Sequence, residues 1–200
     1  TMDKSSQWAF LQHLAKDSNG CYRGYRIVNA ITQIYNHVLQ RENRILIPVY
    51  LTGGSAGGQF TTRYMLFRQF IQDSIPIKMA VSVNPFSYTF CTDSLNGVEM
   101  DYPCGIVNNS YPFNTLCGIT NIVIPFTCNE HVIQYYNENY AVLIGTADTA
   151  NFNPGWTCMD VQGADRYERA QNFYSFSDSD AVNRGTTLQW QYGEVPGVGH

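Results

Sequence analysis

The sequence predicts an α/β fold, in which a mostly parallel sheet is flanked by helices. Apolar, β-rich runs at 45–51 and 79–83 lie on either side of a helix-like stretch. A third apolar run at 140–147 is followed by a helical pattern at 164–176. The first run leads directly through a turn of small residues into its helix. Strands that alternate with helices in this way are typical of parallel pairing with crossover helices.

The turn after the first strand contains the pattern Gly-x-Ser-x-Gly, with Ser55 at its centre. A serine hydroxyl is a weak nucleophile and must be presented to a base without steric cover. A sharp strand-to-helix turn exposes it, and we expect Gly53 and Gly57 to remove side chains that would clash. The turn also aims the backbone N–H of Ala56 at the space where an oxyanion would form. Ser55 and Ala56 are therefore the candidate nucleophile and oxyanion donor, with a plain glycine-rich loop as the alternative.

An acid and a base follow this serine along the chain. The run 140–147 leads into Asp148 through the pattern Gly-x-x-Asp, and the last residues read Val-Pro-Gly-Val-Gly-His, ending at His200. Together with the turn around Ser55, these segments resemble the α/β-hydrolase superfamily, whose members present a triad in the order Ser, acid, His. The resemblance implies that His200 is the general base and that Asp148 orients its imidazole. The alternative for Asp148 is that it caps a turn or a helix.

The resemblance implies a serine esterase that works through an acyl-enzyme, with no cofactor and no metal, on a small-molecule or polymeric ester. The run Gly-Gly-Ser-Ala-Gly-Gly is also similar to carbohydrate-deacetylating and polyester-cleaving esterases. Amide substrates stay open, since a triad does not distinguish esters from amides. The alternative from another class is a non-catalytic module of the same fold that binds protein or glycan in an extracellular assembly.

We interpret residues 1–200 as a single but partial domain of this fold. Compared with the superfamily, we expect strands before the first one here, and a closing helix after the last residue, to be missing. The second oxyanion donor is expected from that upstream part. Residues 86–139 lack periodicity and are rich in Cys, Asn, Pro, Gly and Tyr, so they are interpreted as a cap-like, cysteine-rich insertion.

Six cysteines and few lysines indicate an oxidising compartment, so the predicted location is extracellular or in the secretory pathway. The disulfide candidates in the insertion are Cys91, Cys104, Cys117 and Cys128, with local pairs Cys91–Cys104 and Cys117–Cys128 as one of about 15 connectivities. Free, buried cysteines are the alternative. Asn108 begins a glycosylation sequon, which indicates a glycoprotein.

Aromatic residues near the carboxyl ends of the strands are candidate walls of a substrate pocket. Phe86 and Tyr88 follow the run 79–83, and Trp156 lies in the loop after Asp148. Ordinary packing beneath a cap is the alternative for Phe86 and Tyr88. Arg166 can point toward a substrate carboxylate, or it can form a salt bridge near the sheet edge or in the surroundings of Glu168.

Charge and hydropathy exclude several other classes of function. The net charge of −4 and the isoelectric point near 5.4 argue against a nucleic-acid partner. No apolar run reaches the length of about 18 residues that a membrane span requires. The histidine and cysteine spacings do not match a zinc site. Oligomeric state does not follow from the sequence.

Overall fold

The computed structural model describes residues 25–71, 73–100, 104–106, 128–150 and 157–200. In chain order the elements are α1 (Tyr25–Arg41), β1 (Val49–Gly54), α2 (Ala56–Ile71), β2 (Ile77–Val83), β3 (Ser94–Leu95), β4 (Val98–Glu99), α3 (Cys128–Tyr136), β5 (Tyr140–Gly145), α4 (Thr157–Asp160), α5 (Arg166–Asn183) and β6 (Gln191–Val195).

Four strands form one parallel sheet in the order β1-β2-β5-β6. On one side of β2, its residue Ile77 lies opposite Val49 of β1. On the other side, Ala80 of β2 lies opposite Tyr140 of β5. Strand β6 then pairs with β5 along its whole length. Because all four strands are parallel, their carboxyl ends meet at one edge of the sheet. The predicted fold class, a mostly parallel sheet flanked by helices, is confirmed.

The core lies between the sheet and helices α2, α3 and α5. Aromatic rings dominate it, and the indole of Trp190 lies 4.5 Å from the ring of Tyr135 and 4.9 Å from that of Tyr140. Ring pairs at these separations add to the free energy gained from burying their apolar area. The indole N–H donates to the backbone carbonyl of Tyr135 at 3.0 Å, so this polar group is satisfied. The packed rings fix β5 relative to α3.

Strand β1 begins later than the sequence pattern indicates. We predicted a strand at 45–51, whereas pairing starts at Val49, whose N–H donates to the carbonyl of Pro76 at 3.0 Å. Ile45 is 99% exposed and belongs to no strand. Proline at position 48 has no N–H to offer to a sheet, which explains why an apolar run alone misplaces the boundary.

The helices around the sheet match the predicted pattern except for the longer α5 and the short helices α3 and α4, which were not predicted. Helix α1 agrees with the prediction for 25–41, and Asn43 ends it with φ 49°, the left-handed conformation common after a helix. Helix α5 begins at the cap Asp165 and continues to Asn183, beyond the predicted end at 176. Helix α3 was not predicted, because it is short and lies in a region without a long periodic pattern.

The predicted insertion 86–139 is described in part. It contains the two-stranded antiparallel pair β3–β4 and helix α3. Cys104 forms a disulfide with Cys158, with a Cα–Cα distance of 6.0 Å. The predicted pair Cys91–Cys104 is therefore wrong, because the fold brings α4 beside Cys104 although 54 residues separate the two cysteines. Candidate Cys117 and sequon residue Asn108 lie outside the described residues.

Cys128 is the first residue of α3, and its predicted partner is outside the described residues. Of the helices that the structure describes, none is long and apolar enough to cross a membrane.

Candidate active site

Ser55 lies alone between β1 and α2, in a strained backbone conformation. Its φ is 54°, and the three other non-glycine residues with positive φ in the described ranges are all asparagines. Asparagine tolerates the left-handed region, whereas serine is rarely found there. The N–H of Ser55 donates to the carbonyl of Val83 at 2.9 Å, which ties the turn to β2. Strain of this kind is maintained by surrounding structure and is concentrated at functional sites.

The turn around Ser55 depends on glycine at position 53. A Cβ atom there would lie 2.2 Å from the carbonyl oxygen of Gly57, because the first turn of α2 passes directly over the end of β1. A Cβ at Gly57 would meet nothing within 4 Å. The expectation that Gly57 also avoids a side-chain clash is therefore wrong, since only its backbone takes part in the close approach.

Gly53→Ala is expected to lower the free energy of unfolding by about 3 kcal/mol, because backbone must move to accept the new methyl group. For a chain of this size that corresponds to a melting temperature lower by roughly 6–12 °C. The neighbouring substitution Gly54→Ala is the matched control, since a Cβ at Gly54 meets nothing within 4 Å. Thermal unfolding followed by circular dichroism compares the two, and equal melting temperatures would contradict the close approach.

The structure brings the three predicted residues Ser55, His200 and Asp148 into one hydrogen-bonded row. The His200 Nε2 lies 2.9 Å from the Ser55 Oγ, and its Nδ1 lies 3.1 Å from the Asp148 Oδ2. The three residues follow β1, β6 and β5, so the shared carboxyl edge of the parallel sheet assembles them. Asp148 is 1% exposed, whereas the His200 side chain is 37% exposed. A shielded acid and an accessible base are the arrangement that nucleophile activation requires.

Asp148 is held from both sides. Its Oδ1 accepts from Arg166 Nη1 at 3.0 Å, and its Oδ2 accepts from Asn84 Nδ2 at 2.9 Å in addition to the histidine. Arg166 thus forms the predicted salt bridge near the sheet edge, and its guanidinium faces Asp148 in place of a substrate carboxylate. A buried carboxylate that accepts from a cation on one oxygen and from a neutral donor on the other is satisfied and held in one orientation.

Two loops at this edge approach each other closely, namely the acid loop after β5 and the histidine loop after β6. The N–H of Ala147 donates to the carbonyl of Val198 at 2.9 Å. A Cβ at Gly145 would lie 2.2 Å from the same carbonyl oxygen, so only glycine fits at the end of β5. The histidine loop therefore packs directly against the acid loop.

Ala56 is the first residue of α2. The N–H groups in the first turn of a helix have no intrahelical acceptor, and they carry the positive end of the helix dipole. The N–H of Ala56, next to Ser55 in the chain, is therefore free of helical bonding and suited to stabilise negative charge beside the hydroxyl. This is the position at which the sequence pattern predicts an oxyanion donor.

The candidate pocket residues have different environments. Phe86 is half-buried, with the guanidinium carbon of Arg166 5.4 Å from its ring centroid. Tyr88 is 0% exposed and stacks on Phe173 at 4.4 Å. Burial raises the pKa of the Tyr88 phenol, as expected for a core position. Tyr88 is thus a core residue and no cleft wall, because the chain turns inward after β2. Trp156 lies outside the described residues.

Sequence reasoning overlooked the side chains that hold the loop after β2. Arg169 is buried, and it donates from Nη1 to the carbonyl of Phe86 at 3.0 Å and from Nε to that of Gly163 at 2.9 Å. Burial lowers the pKa of this guanidinium. The amide of Gln162 both accepts from and donates to the backbone of Tyr88. Nothing in the sequence pattern distinguishes Arg169 from an exposed residue of its helix, or Gln162 from an ordinary turn residue, so no signal would have found them.

Solved structures resemble this fold. The poly(3-hydroxybutyrate) depolymerase LpqC from Bordetella parapertussis is 27% identical, with a TM-score of 0.71, over 96% of this chain and 58% of that one. Poly(aspartic acid) hydrolase-1 from Sphingomonas sp. KT-1 is 20% identical, with a TM-score of 0.73, over 98% of this chain and 66% of that one. The likeness confirms the α/β-hydrolase fold that the sequence predicts.

The chain spans less than two thirds of the length of either of these proteins. No protein-family model and no curated protein matches the sequence. The fold is thus established by structural likeness, and residue roles depend on the geometry of the site.

Proposed function

We propose that this α/β-hydrolase-fold protein is a serine hydrolase that cleaves an ester through an acyl-enzyme. The observation that carries the proposal is the row from Asp148 through His200 to Ser55, with distances of 3.1 Å and 2.9 Å. The strained φ of 54° at Ser55 supports it independently. Hydrogen-bonding distances of this size are those expected between a nucleophile, its base and the group that orients the base.

In the first half of the reaction, the Ser55 Oγ attacks the acyl carbon of the ester while the His200 Nε2 takes the hydroxyl proton. The carbonyl oxygen becomes an oxyanion, to which the N–H of Ala56 donates. The imidazolium is stabilised by the Asp148 carboxylate, which accepts from Nδ1. Collapse of the intermediate breaks the bond to the leaving alcohol, and His200 returns the proton to that alcohol.

In the second half, water takes the place of the alcohol. His200 removes one proton from the water, whose oxygen forms the new bond to the acyl carbon. The bond to Ser55 then breaks, and the same proton passes from His200 to the Oγ. The products are a carboxylic acid and the regenerated serine, so the proposed reaction consumes no oxidant, reductant or cofactor.

For the substrate, we propose an aliphatic ester, with a polymeric ester as the natural form. The solved structure that is 27% identical is named a poly(3-hydroxybutyrate) depolymerase, which supports a polyester as the substrate. The disulfide between Cys104 and Cys158 supports an extracellular or secretory location, because such bonds persist in oxidising compartments.

Labelling with a fluorophosphonate probe tests the nucleophile. Such a probe reacts with an activated serine, so the full-length protein is expected to be labelled at Ser55 and the Ser55→Ala variant to stay unlabelled. The control is Ser175→Ala, at an exposed position on α5, which is expected to label like the wild type. Mass spectrometry of the labelled peptide identifies the modified residue.

Labelling of the wild type at a different serine would overturn the assignment of Ser55. A wild type that is folded and takes up no probe would favour a non-catalytic binding module of the same fold. Hydrolysis of p-nitrophenyl butyrate and clearing of a poly(3-hydroxybutyrate) suspension then separate a small ester from a polymeric one.

A further inference from the structure

Asn84 connects three parts of the site with one side chain. Its Nδ2 donates to the Asp148 Oδ2 at 2.9 Å and to the carbonyl of Gly199 at 3.1 Å, and its Oδ1 accepts from the N–H of Gly145 at 3.1 Å. Gly145 ends β5, and Gly199 immediately precedes His200. The amide therefore touches the acid itself, the strand that leads to it, and the backbone that carries the base.

The direction of the Asn84 amide is determined by its partners. An amide offers two N–H donors on nitrogen and accepting lone pairs on oxygen. In the observed direction both donors meet oxygen acceptors, and the oxygen meets a backbone N–H. The reverse direction would set its oxygen against the carboxylate and the Gly199 carbonyl, so the hydrogen-bond network assigns the observed one.

The backbone of Asn84 is specialised as well. Its φ is 45°, and its N–H donates to the carbonyl of Leu143 at 3.0 Å, so the residue is anchored directly after β2. Asparagine is one of the few residues other than glycine that adopt this conformation readily. The residue is 8% exposed, so water competes little for its hydrogen bonds.

We propose that Asn84 is a positioning residue that sets the relative placement of Asp148 and His200. The inference rests on the proposed function. Asn84 donates to Oδ2, the oxygen that His200 also contacts, whereas Arg166 donates to the opposite oxygen. Arg166 places a positive charge beside the acid. Asn84 orients the acid and also fixes the backbone position of the histidine loop next to His200. The neutral amide does so without adding charge.

The test uses Asn84→Gly and Asn84→Asp in the full-length protein, with p-nitrophenyl butyrate as the substrate. Glycine keeps the left-handed backbone and removes all three side-chain hydrogen bonds. Aspartate keeps size and backbone conformation but sets an oxygen against the Asp148 carboxylate. Both variants are expected to lower kcat by about 10²-fold or more, as for a displacement of about 1 Å at a reacting group. KM is expected to stay within about twofold.

Asn43→Gly and Asn43→Asp are the matched controls, because Asn43 also has positive φ but precedes β1, away from the row. They are expected to keep the wild-type kcat. A double-mutant cycle with Asp148→Asn gives the second readout. If Asn84 acts through Asp148, Asn84→Gly loses most of its effect on kcat in the Asp148→Asn background.

The outcomes separate this inference from the proposed function. A wild type that neither hydrolyses the ester nor takes up fluorophosphonate contradicts the proposed function. An active wild type whose Asn84 variants keep their kcat overturns the positioning role alone. A fall in kcat that persists undiminished in the Asp148→Asn background also overturns it, because Asp148 would then play no part in the effect. An equal fall in the Asn43 variants overturns it as well, since the effect would then be a general structural one.

Discussion

Ser55→Ala is expected to lower kcat for p-nitrophenyl butyrate by about 10⁶-fold, or to the rate of hydrolysis in buffer. The reason is that, in the proposed mechanism, the Oγ that lies 2.9 Å from His200 Nε2 is the atom that forms the acyl-enzyme. No neighbouring group can replace it, because the row contains a single hydroxyl. Initial rates at substrate concentrations around KM measure the effect.

The variant Ser55→Gly removes the same hydroxyl and in addition relieves the backbone strain at φ 54°. It is expected to be as inactive as Ser55→Ala but more stable than the wild type by about 1–2 kcal/mol, the penalty for a non-glycine residue in this conformation. Thermal unfolding measures the difference. Retained turnover in either variant would mean that another nucleophile does the chemistry.

Asp148→Asn is expected to lower kcat by about 10⁴-fold, because an amide no longer orients the imidazole in the productive tautomer. The substitution also breaks the ion pair with Arg166, whose contact to Oδ1 is 3.0 Å. Leaving one member of a largely buried pair alone destabilises a protein by about 3–5 kcal/mol. Turnover must therefore be measured at a temperature well below the melting transition of the variant.

Two further variants serve as comparisons for the activity and the stability of Asp148→Asn. Asp178→Asn, at an exposed position on α5, is the matched control and is expected to retain full activity. Arg166→Met removes the same ion pair and leaves the Asp148 carboxylate in place, so its melting temperature reports the cost of breaking the pair. If Asp148→Asn kept a tenth or more of the wild-type kcat, the histidine would be oriented by another group.

Local sequence determined the turn around Ser55 and the strands and helices next to it. Ser55 was found because a strand-to-helix turn needs small residues at defined spacing, which a short pattern records. Helix α1 was predicted within its observed bounds because its apolar residues recur with helical period. Strand β1 was misplaced, because an apolar run does not reveal which residues find a pairing partner.

Contacts between distant segments were decided by the tertiary structure alone. Asn84 and Gly199 are 115 residues apart, and Cys104 and Cys158 are 54 apart, so neither contact leaves a local pattern. The position of Tyr88 after a strand makes it a candidate pocket wall, with ordinary packing as the alternative, and the fold places it in the core on Phe173. Such outcomes depend on which elements become neighbours.

The sequence by itself determined the fold class, the candidate nucleophile and the chain order of the two residues that accompany it. Only the tertiary structure decided how the acid is held, by Arg166 on one oxygen and Asn84 on the other. The physical reason is that a reactive turn is specified by the conformational needs of its own residues. The surroundings of a buried carboxylate are specified by the packing of strands and helices far apart in the chain.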